Sequence, residues 1–295
     1  MSLKYVSSFF EANGAILKKV GTNILPWTFE EIGQENGFVL YETQIENTFT
    51  DPARLEIEEI HDRAYVYVNK EPRGILSRAE NVFSLPLSID QGDFLQILVE
   101  NQGRIGYGAF AKDFKGIVSN VSLGDSERGR NKTIENWTMY SMPLNDTQTL
   151  FKYAKTVLKM QKYNEEIANS VLEDYQITMG KGSFWYGEFQ VPCSDEKSLD
   201  TFLKFPNGWR KGVAFLNGKN LGRYWPRNGP QMTLYVPGVW LNKPCETNQI
   251  ILFEQEKPGC IKNDCHIELV KDHVINGKTP QGPSVDLKNF SFKRP

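Results

Sequence analysis

The sequence predicts an all-β chain built as two tandem jelly-roll-like β-sandwiches joined by a helical linker, and three observations predict it. First, a strand, a tight turn and a glycine recur at two places, in 63–76 (RAYVYVNKEPRGIL) and in the first half of 208–237 (GWRKGVAFLNGKNLGRYWPRNGPQMTLYVP). In the later copy Val213 and Phe215 alternate with Ala214 and Leu216 before Asn217-Gly218, a dipeptide that supplies the positive φ angles of a type I′ hairpin turn. In the earlier copy Tyr65 and Tyr67 alternate with Val66 and Val68 before Asn69-Lys70, and a glycine follows five positions after each asparagine, as Gly74 and Gly222. Second, the flanks correspond: Tyr41 and Tyr186 lie in candidate strands upstream, and FLQILVENQG (94–103) resembles NQIILFEQEK (248–257) downstream. Third, short alternating apolar runs separated by turn signals fill most of the chain, as expected of sandwiches. A fixed order of matching strands means two copies of one unit.

Composition sets the outer limits. The 295 residues suffice for two cores of ordinary size, and 40% hydrophobic with 24% charged residues is the balance of a soluble globular protein. A formal net charge of −2 gives no reason to expect nucleic acid or an anionic membrane as partner. No run of apolar residues is long enough to span a bilayer as a helix. The N-terminal stretch MSLKYVSSFFEANGAILKKV lacks the uninterrupted apolar core and small-residue cleavage site of a signal peptide.

Taken in order, residues 1–34 have no clean period and read as an opening segment with a short helix or two. The first sandwich spans 35–147. Its strands are expected in GFVLYETQIE, RLEIEEI, RAYVYVN, GILS, VFSLPLS, DFLQILVEN and GIVSNVSL, with turn signals such as DPAR, NKEPRG and DQGD between them. Trp137, Tyr140, Pro143 and Leu144 mark an anchoring strand, and Asn145-Asp146-Thr147 can cap a helix. Leu150, Tyr153, Ala154, Val157 and Leu158 then repeat at helical spacing, which predicts an amphipathic helix within a linker at 148–180. The second sandwich covers 181–274, with strands in SFWYGEFQVP, TFLKF, KGVAFLN, LGRYW, QMTLYVP, QIILFEQE and HIELV; a polar tail, 275–295, follows.

Marks of the secretory route accompany this pattern. Asn-x-Ser/Thr acceptors stand at Asn120, Asn131, Asn136, Asn145 and Asn289, clustered in a polar, turn-rich segment where glycans find exposed loops. The cysteines, Cys193, Cys245, Cys260 and Cys265, all lie in the second half. A metal site of Cys260, Cys265 and His266 lacks a second ligand pair, so Cys260–Cys265 and Cys193–Cys245 disulfides are favoured. These features fit the C-terminal part of a longer lysosomal or secreted chain.

The segments GQENGFVLYET (33–43), HDRAYVYVNKEPRG (61–74), LVENQGRIGYGAFAKDFKGIVSNVSL (98–123), WTMYSMPL (137–144) and FLNGKNLGRYWPRNGPQMTLYVP (215–237) carry a family resemblance. The chain resembles the C-terminal, galactose-binding-domain-like β-domains of the β-galactosidases of glycoside hydrolase family 35. The resemblance implies that chemistry resides in a preceding (β/α)₈ barrel, where two glutamates hydrolyse terminal β-linked galactose with retention. The first 36 residues here are too short for such a barrel, so neither glutamate is carried over and no catalytic residue is assigned. The implied partner is that barrel, with galactosides as ligands of the whole; no cofactor or metal is expected.

Within the resemblance one residue takes a role. Tyr107, in the loop Gly103-Arg104-Ile105-Gly106-Tyr107-Gly108, matches the tyrosine that leans toward the barrel's sugar pocket, the alternative being that its ring packs an interface only. Arg104 and the Asp62-Arg63 pair read as braces of loop carbonyls, Asp113 and Lys115 as turn caps, and Asn217, Gly218 and Gly222 as hairpin architecture. Glu56, Glu58, Glu59, Asp93, Glu100 and Asp113 read as solvated surface charge. Two other functions compete with a scaffold for a catalytic barrel. One is a free-standing carbohydrate-binding module using Trp209, Trp225 and Trp240 as aromatic platforms; the other is a truncated paralogue that acts as an interaction protein.

Overall fold

The computed structural model describes residues 1–109, 111–125, 131–162, 180–193, 200–206, 208–261 and 264–275. It is an antiparallel all-β structure in which four sheets lie in a stack. A four-stranded sheet (in order Asn131–Thr133, Val121–Asp125, Ala53–Ile57, Ser84–Leu87) faces a six-stranded one (Lys18–Asn23, Trp137–Met142, Gly37–Gln44, Phe94–Asn101, Arg63–Val68, Glu71–Ser77). A five-stranded sheet (Lys4–Ser8, Ser183–Gln190, Thr247–Glu254, Gly212–Leu216, Lys219–Tyr224) follows, and a three-stranded one (Thr233–Val236, Thr201–Lys204, Glu268–Val270) ends the stack.

Three apolar cores fill the gaps. Val39, Tyr41, Val66, Ile97 and Val99 of the six-stranded sheet pack on Leu55, Ile57, Val121 and Leu123 inside the first sandwich. Trp185, Ala214 and Leu252 pack on Leu203 and Val236 inside the second. The third core lies between the sandwiches, where Phe38, Leu40, Tyr65, Tyr67 and Leu98 meet Phe184, Tyr186, Val213, Phe215 and Phe253. The six-stranded sheet is thus covered on both faces, which is why GFVLYET and RAYVYV read as continuous apolar runs rather than as alternation. Each large side chain buried there contributes about 1.5–3 kcal/mol, so the seam between the sandwiches is an apolar core in its own right.

The two copies are visible in the hairpins. Asn69 and Lys70 have φ of 52° and 67°, Asn217 and Gly218 of 48° and 78°, the positive pair that a type I′ turn demands. In the first copy the Phe94 amide donates to Asn69 Oδ1 at 2.9 Å, and in the second the Gln249 amide donates to Asn217 Oδ1 at 2.8 Å. Each hairpin also carries one bulge, between Val66 and Tyr67 and between Ala214 and Phe215. Register corrects the correspondence drawn from the sequence by one residue. Tyr41 pairs with Ile97 and Trp185 with Leu252, opposite Val66 and Ala214 respectively, so Trp185 rather than Tyr186 is the counterpart of Tyr41.

The opening segment differs from expectation. Instead of one or two helices before the first sandwich, 1–34 gives an edge strand to each sandwich and keeps a single short helix. Lys4–Ser8 pairs with Ser183–Tyr186 of the five-stranded sheet, and Lys18–Asn23 pairs with Trp137–Ser141 of the six-stranded one. Tyr5, Val6 and Ser7 are buried consecutively, because one face of their strand meets the second sandwich's core and the other the core between the sandwiches. The helix Thr147–Lys162 matches the predicted periodicity, but it packs Leu150, Phe151 and Ala154 into the core between the sandwiches. The rest of the linker, 163–179, and the tail beyond 275 lie outside the described residues.

Candidate functional site

The sequence motif GRIGYG lies at the start of a loop that leaves the strand Phe94–Asn101 and returns at Gly116–Ile117. Gly103 and Gly108 have φ of 114° and 92°, values that favour glycine and let the chain turn away from the sheet. Every described residue from Arg104 to Lys112 is exposed, and Tyr107 at the tip is 88% exposed. Its ring therefore packs no interface within the described residues.

The base of the loop is the opposite. Lys115 is buried, its Nζ donating to Asp62 Oδ1 and Oδ2 at 2.8 and 2.9 Å and lying 2.7 Å from Asp113 Oδ2. Arg78 Nη1 donates to Asp113 Oδ1 at 2.8 Å and to Asp62 Oδ1 at 3.3 Å. Asp62 Oδ2 accepts from the Gln102 amide at 2.8 Å, Asp113 Oδ2 from the Ile105 amide at 3.4 Å, and His61 Nδ1 lies 2.7 Å from the Phe114 carbonyl. Burial works against ionising Asp113, but the hydrogen bonds and charges of Lys115 and Arg78 outweigh it and hold this carboxyl down at about 2. Asp113 and Lys115 are thus not surface turn caps but halves of a buried ion cluster, because a carboxylate at this depth survives only with such partners.

The short helix Phe29–Ile32 locks the near side. Thr28 and Glu31 form a capping box, and Gly33 closes the helix at φ 74°. This fixes Glu30, whose Oε1 accepts from Arg104 Nη2 at 2.5 Å and Nε at 3.2 Å and whose Oε2 accepts from the Lys115 amide at 3.0 Å. Arg104 Nη1 donates to the Glu35 carbonyl. Gly116 (φ 100°) closes the loop: a Cβ here would stand 2.4 Å from Tyr41 Oη.

An open groove of about 1010 Å³ adjoins the loop base, lined by Leu25, Glu30, Phe114, Asn120 and Asn131 and by the carboxylates Glu56, Glu58 and Glu59. The acceptor asparagines Asn120, Asn131, Asn136 and Asn145 are all exposed; Asn289 lies outside the described residues. Two carboxylates read as surface charge are buried instead: Asp113, at the loop base, and Glu100, at the seam between the sandwiches, whose partners lie too far along the chain for sequence to reveal. Disulfides join Cys193 to Cys245 and Cys260 to Cys265. Among the described residues no group of three or more His, Cys, Asp or Glu is arranged to hold a metal, and no described helix is long and apolar enough to cross a membrane.

Of the three tryptophans, Trp209 is buried and packs edge-on against Trp185. Trp225 is half-buried under Arg63 and Lys211, 5.1 and 4.8 Å from its ring, and Trp240 lies 5.2 Å from the Lys219 ammonium. Each of these two rings thus holds a cation–π contact.

Comparison with known proteins identifies the chain. Residues 26–143 match the family described as beta-galactosidase, first all-beta domain, and residues 182–248 match beta-galactosidase, galactose-binding domain. The class is thus a tandem of non-catalytic β-domains of a glycosidase. Beta-galactosidase of Canis lupus familiaris is 34% identical over 99% of this chain, that of Bos taurus 38% over 86%, and beta-galactosidase 8 of Oryza sativa 34% over 92%. The chain spans 43%, 38% and 42% of the lengths of these three relatives. It belongs to the glycoside hydrolase family 35 β-galactosidases, as their C-terminal β-domain region.

Proposed function

We propose that this chain is the structural half of a lysosomal or secreted β-galactosidase: it seats a catalytic (β/α)₈ barrel and presents Tyr107 to the edge of the sugar pocket, while hydrolysis of terminal β-linked galactose is the work of the barrel's two glutamates. The observation that carries the reading is the contrast at the loop 102–115. Its base is fixed by ion pairs and its tip holds a fully presented aromatic ring, 88% exposed. An exposed tyrosine on a loop with a fixed base suits a partner surface or a sugar edge, since its ring offers an apolar face and its hydroxyl a hydrogen bond. The relatives' name supports the substrate class. Arg104 serves as a brace in this reading and the four exposed asparagines as glycan acceptors, consistent with passage through the secretory route.

The test is hydrolysis of a chromogenic β-galactoside at pH 4–7 by this chain alone, and by the chain with a separately produced family barrel. Silence alone with activity on mixing supports the reading. Tyr107→Ala should then raise KM while leaving thermal stability within about 0.5 kcal/mol, as for exposed positions in general. Turnover by the chain alone would overturn the proposal.

A further inference from the structure

We infer that Asp113, Lys115 and Glu30 are positioning residues for Tyr107: the ion cluster at the base of the loop, rather than the apolar core, sets where the tyrosine stands. The inference rests on the reading that Tyr107 meets substrate, and it adds what holds it there.

The geometry leaves few other candidates. From Arg104 to Lys112 every described side chain is exposed, so no core contact of a described residue orients the tip. Within the tip, one turn is closed by the Ala111 amide on the Gly108 carbonyl at 3.2 Å. Beside local ties such as the Gly103 amide on Asn101 Oδ1 at 2.9 Å and the Phe29 amide on the Lys115 carbonyl at 2.8 Å, the charged ties of the loop's two ends converge on one knot. On the outgoing side, the Gln102 amide is held by Asp62, the Ile105 amide by Asp113 and the Arg104 guanidinium by Glu30. On the returning side, Asp113 and Lys115 are themselves members, and the Lys115 amide is held by the second oxygen of Glu30. Asp62, Asp113 and Glu30 thus each grip both ends of the loop, directly or through Lys115. Removing one charge frees both ends together, and a charge-assisted hydrogen bond fixes direction more tightly than an apolar contact. Misplacing a substrate-positioning group costs on the order of tenfold to a hundredfold in rate without touching the chemistry.

The experiment uses the chain assembled with its catalytic barrel and reads two quantities: KM and kcat on a chromogenic β-galactoside, and hydrogen exchange of the peptide covering 102–116. Lys115→Met and Asp113→Asn are expected to speed exchange there and to raise KM about tenfold with kcat nearly unchanged, as Tyr107→Ala does. Lys115→Arg should restore both in part. Because a buried charge left alone can unfold the domain, Glu30→Gln, at a partly exposed position, serves as the milder variant and should loosen the same peptide. If Tyr107→Ala raises KM while the charge variants leave exchange and KM at wild-type values, the positioning role is wrong. If Tyr107→Ala leaves KM unchanged, the substrate-facing reading itself fails, and the positioning role with it.

Discussion

Lys211 of the second sandwich reaches across the seam to Glu100 of the first, and the two are 1% and 0% exposed. The register of the repeat makes Lys211 the counterpart of Arg63, and Arg63 pairs in the opposite direction, with Glu256 of the second sandwich at 2.8 Å. Each copy thus extends one cation to the other. Tyr65 and Gln255 lie between the pairs, Gln255 Oε1 accepting from Tyr65 Oη at 2.8 Å and from Lys211 Nζ at 3.1 Å. Burial raises the Glu100 carboxyl, yet the charges of Lys211 and Arg223 overcome it and keep the group ionised.

Lys211→Met leaves Glu100 as a buried charge with Arg223 alone, and should cost about 3–5 kcal/mol. Pairing it with Glu100→Gln should recover part of that loss. Urea unfolding of the two single variants and the double variant closes the cycle, and a loss in the double variant equal to the sum of the two single losses would deny the coupling.

Stability should also depend on pH through Glu254. Burial pushes its carboxyl up to about 7, more than the backbone amides of Lys211, Glu256 and Lys257 and the Tyr224 hydroxyl pull it down. A folded-state value above the ordinary carboxylate range near 4.3 means that this contribution is complete below that range and lost as pH rises through 7. Asp113, held at about 2, has the opposite sign: its contribution is complete above the ordinary range and lost as pH falls through 2. Melting temperature is therefore expected to be highest near pH 4 and to decline from there toward pH 7. Glu254→Gln should flatten that decline, and an unchanged decline would assign it to another group.

Trp225→Ala removes the ring beneath Arg63 and Lys211 and should destabilise the seam by about 1–2 kcal/mol, within the range for desolvated cation–π contacts. Titration with galactose should show no change attributable to this ring. Saturable binding lost in the variant would revive a carbohydrate-binding module.

The Cys193–Cys245 bridge spans 52 residues of the second sandwich. Replacing both cysteines by serine should cost about 2–4 kcal/mol by releasing that loop in the unfolded chain. The Cys260–Cys265 pair, with a separation of 5, should cost less. Thermal unfolding of the two double variants gives the ranking.

How much of this was legible in sequence follows from the range of each interaction. The hairpins at Asn69 and Asn217 were readable because turn chemistry is local. The Lys4–Ser8 strand was not, since its partner Ser183–Tyr186 lies about 180 residues away and its own composition is unremarkable. Glu100 looked like surface charge because its neutralising partner, Lys211, is 111 positions distant, and Asp113 because nothing local shows that its neighbour Lys115 is buried with it and Arg78 is 35 positions away. Tyr107 was singled out through the family resemblance of its glycine-flanked motif, whereas Glu30, which braces its loop, lies inside the capping box of Thr28 and Glu31 and carried no signal of its own. The seam was not read from the sequence: RAYVYV was taken as an alternating sandwich strand, and that its sheet is covered on both faces emerges only in the fold.

The placement of Lys4–Ser8 has a consequence for synthesis. A ribosome delivers this segment about 180 residues ahead of the strand it must join, with the entire first sandwich in between. The nascent chain therefore carries an unsatisfied strand while those residues are made, a state exposed to wrong pairings and to chaperones. Once docked, the same segment ties the beginning of the chain to its second sandwich, so a cut at the helix cannot yield two self-sufficient pieces.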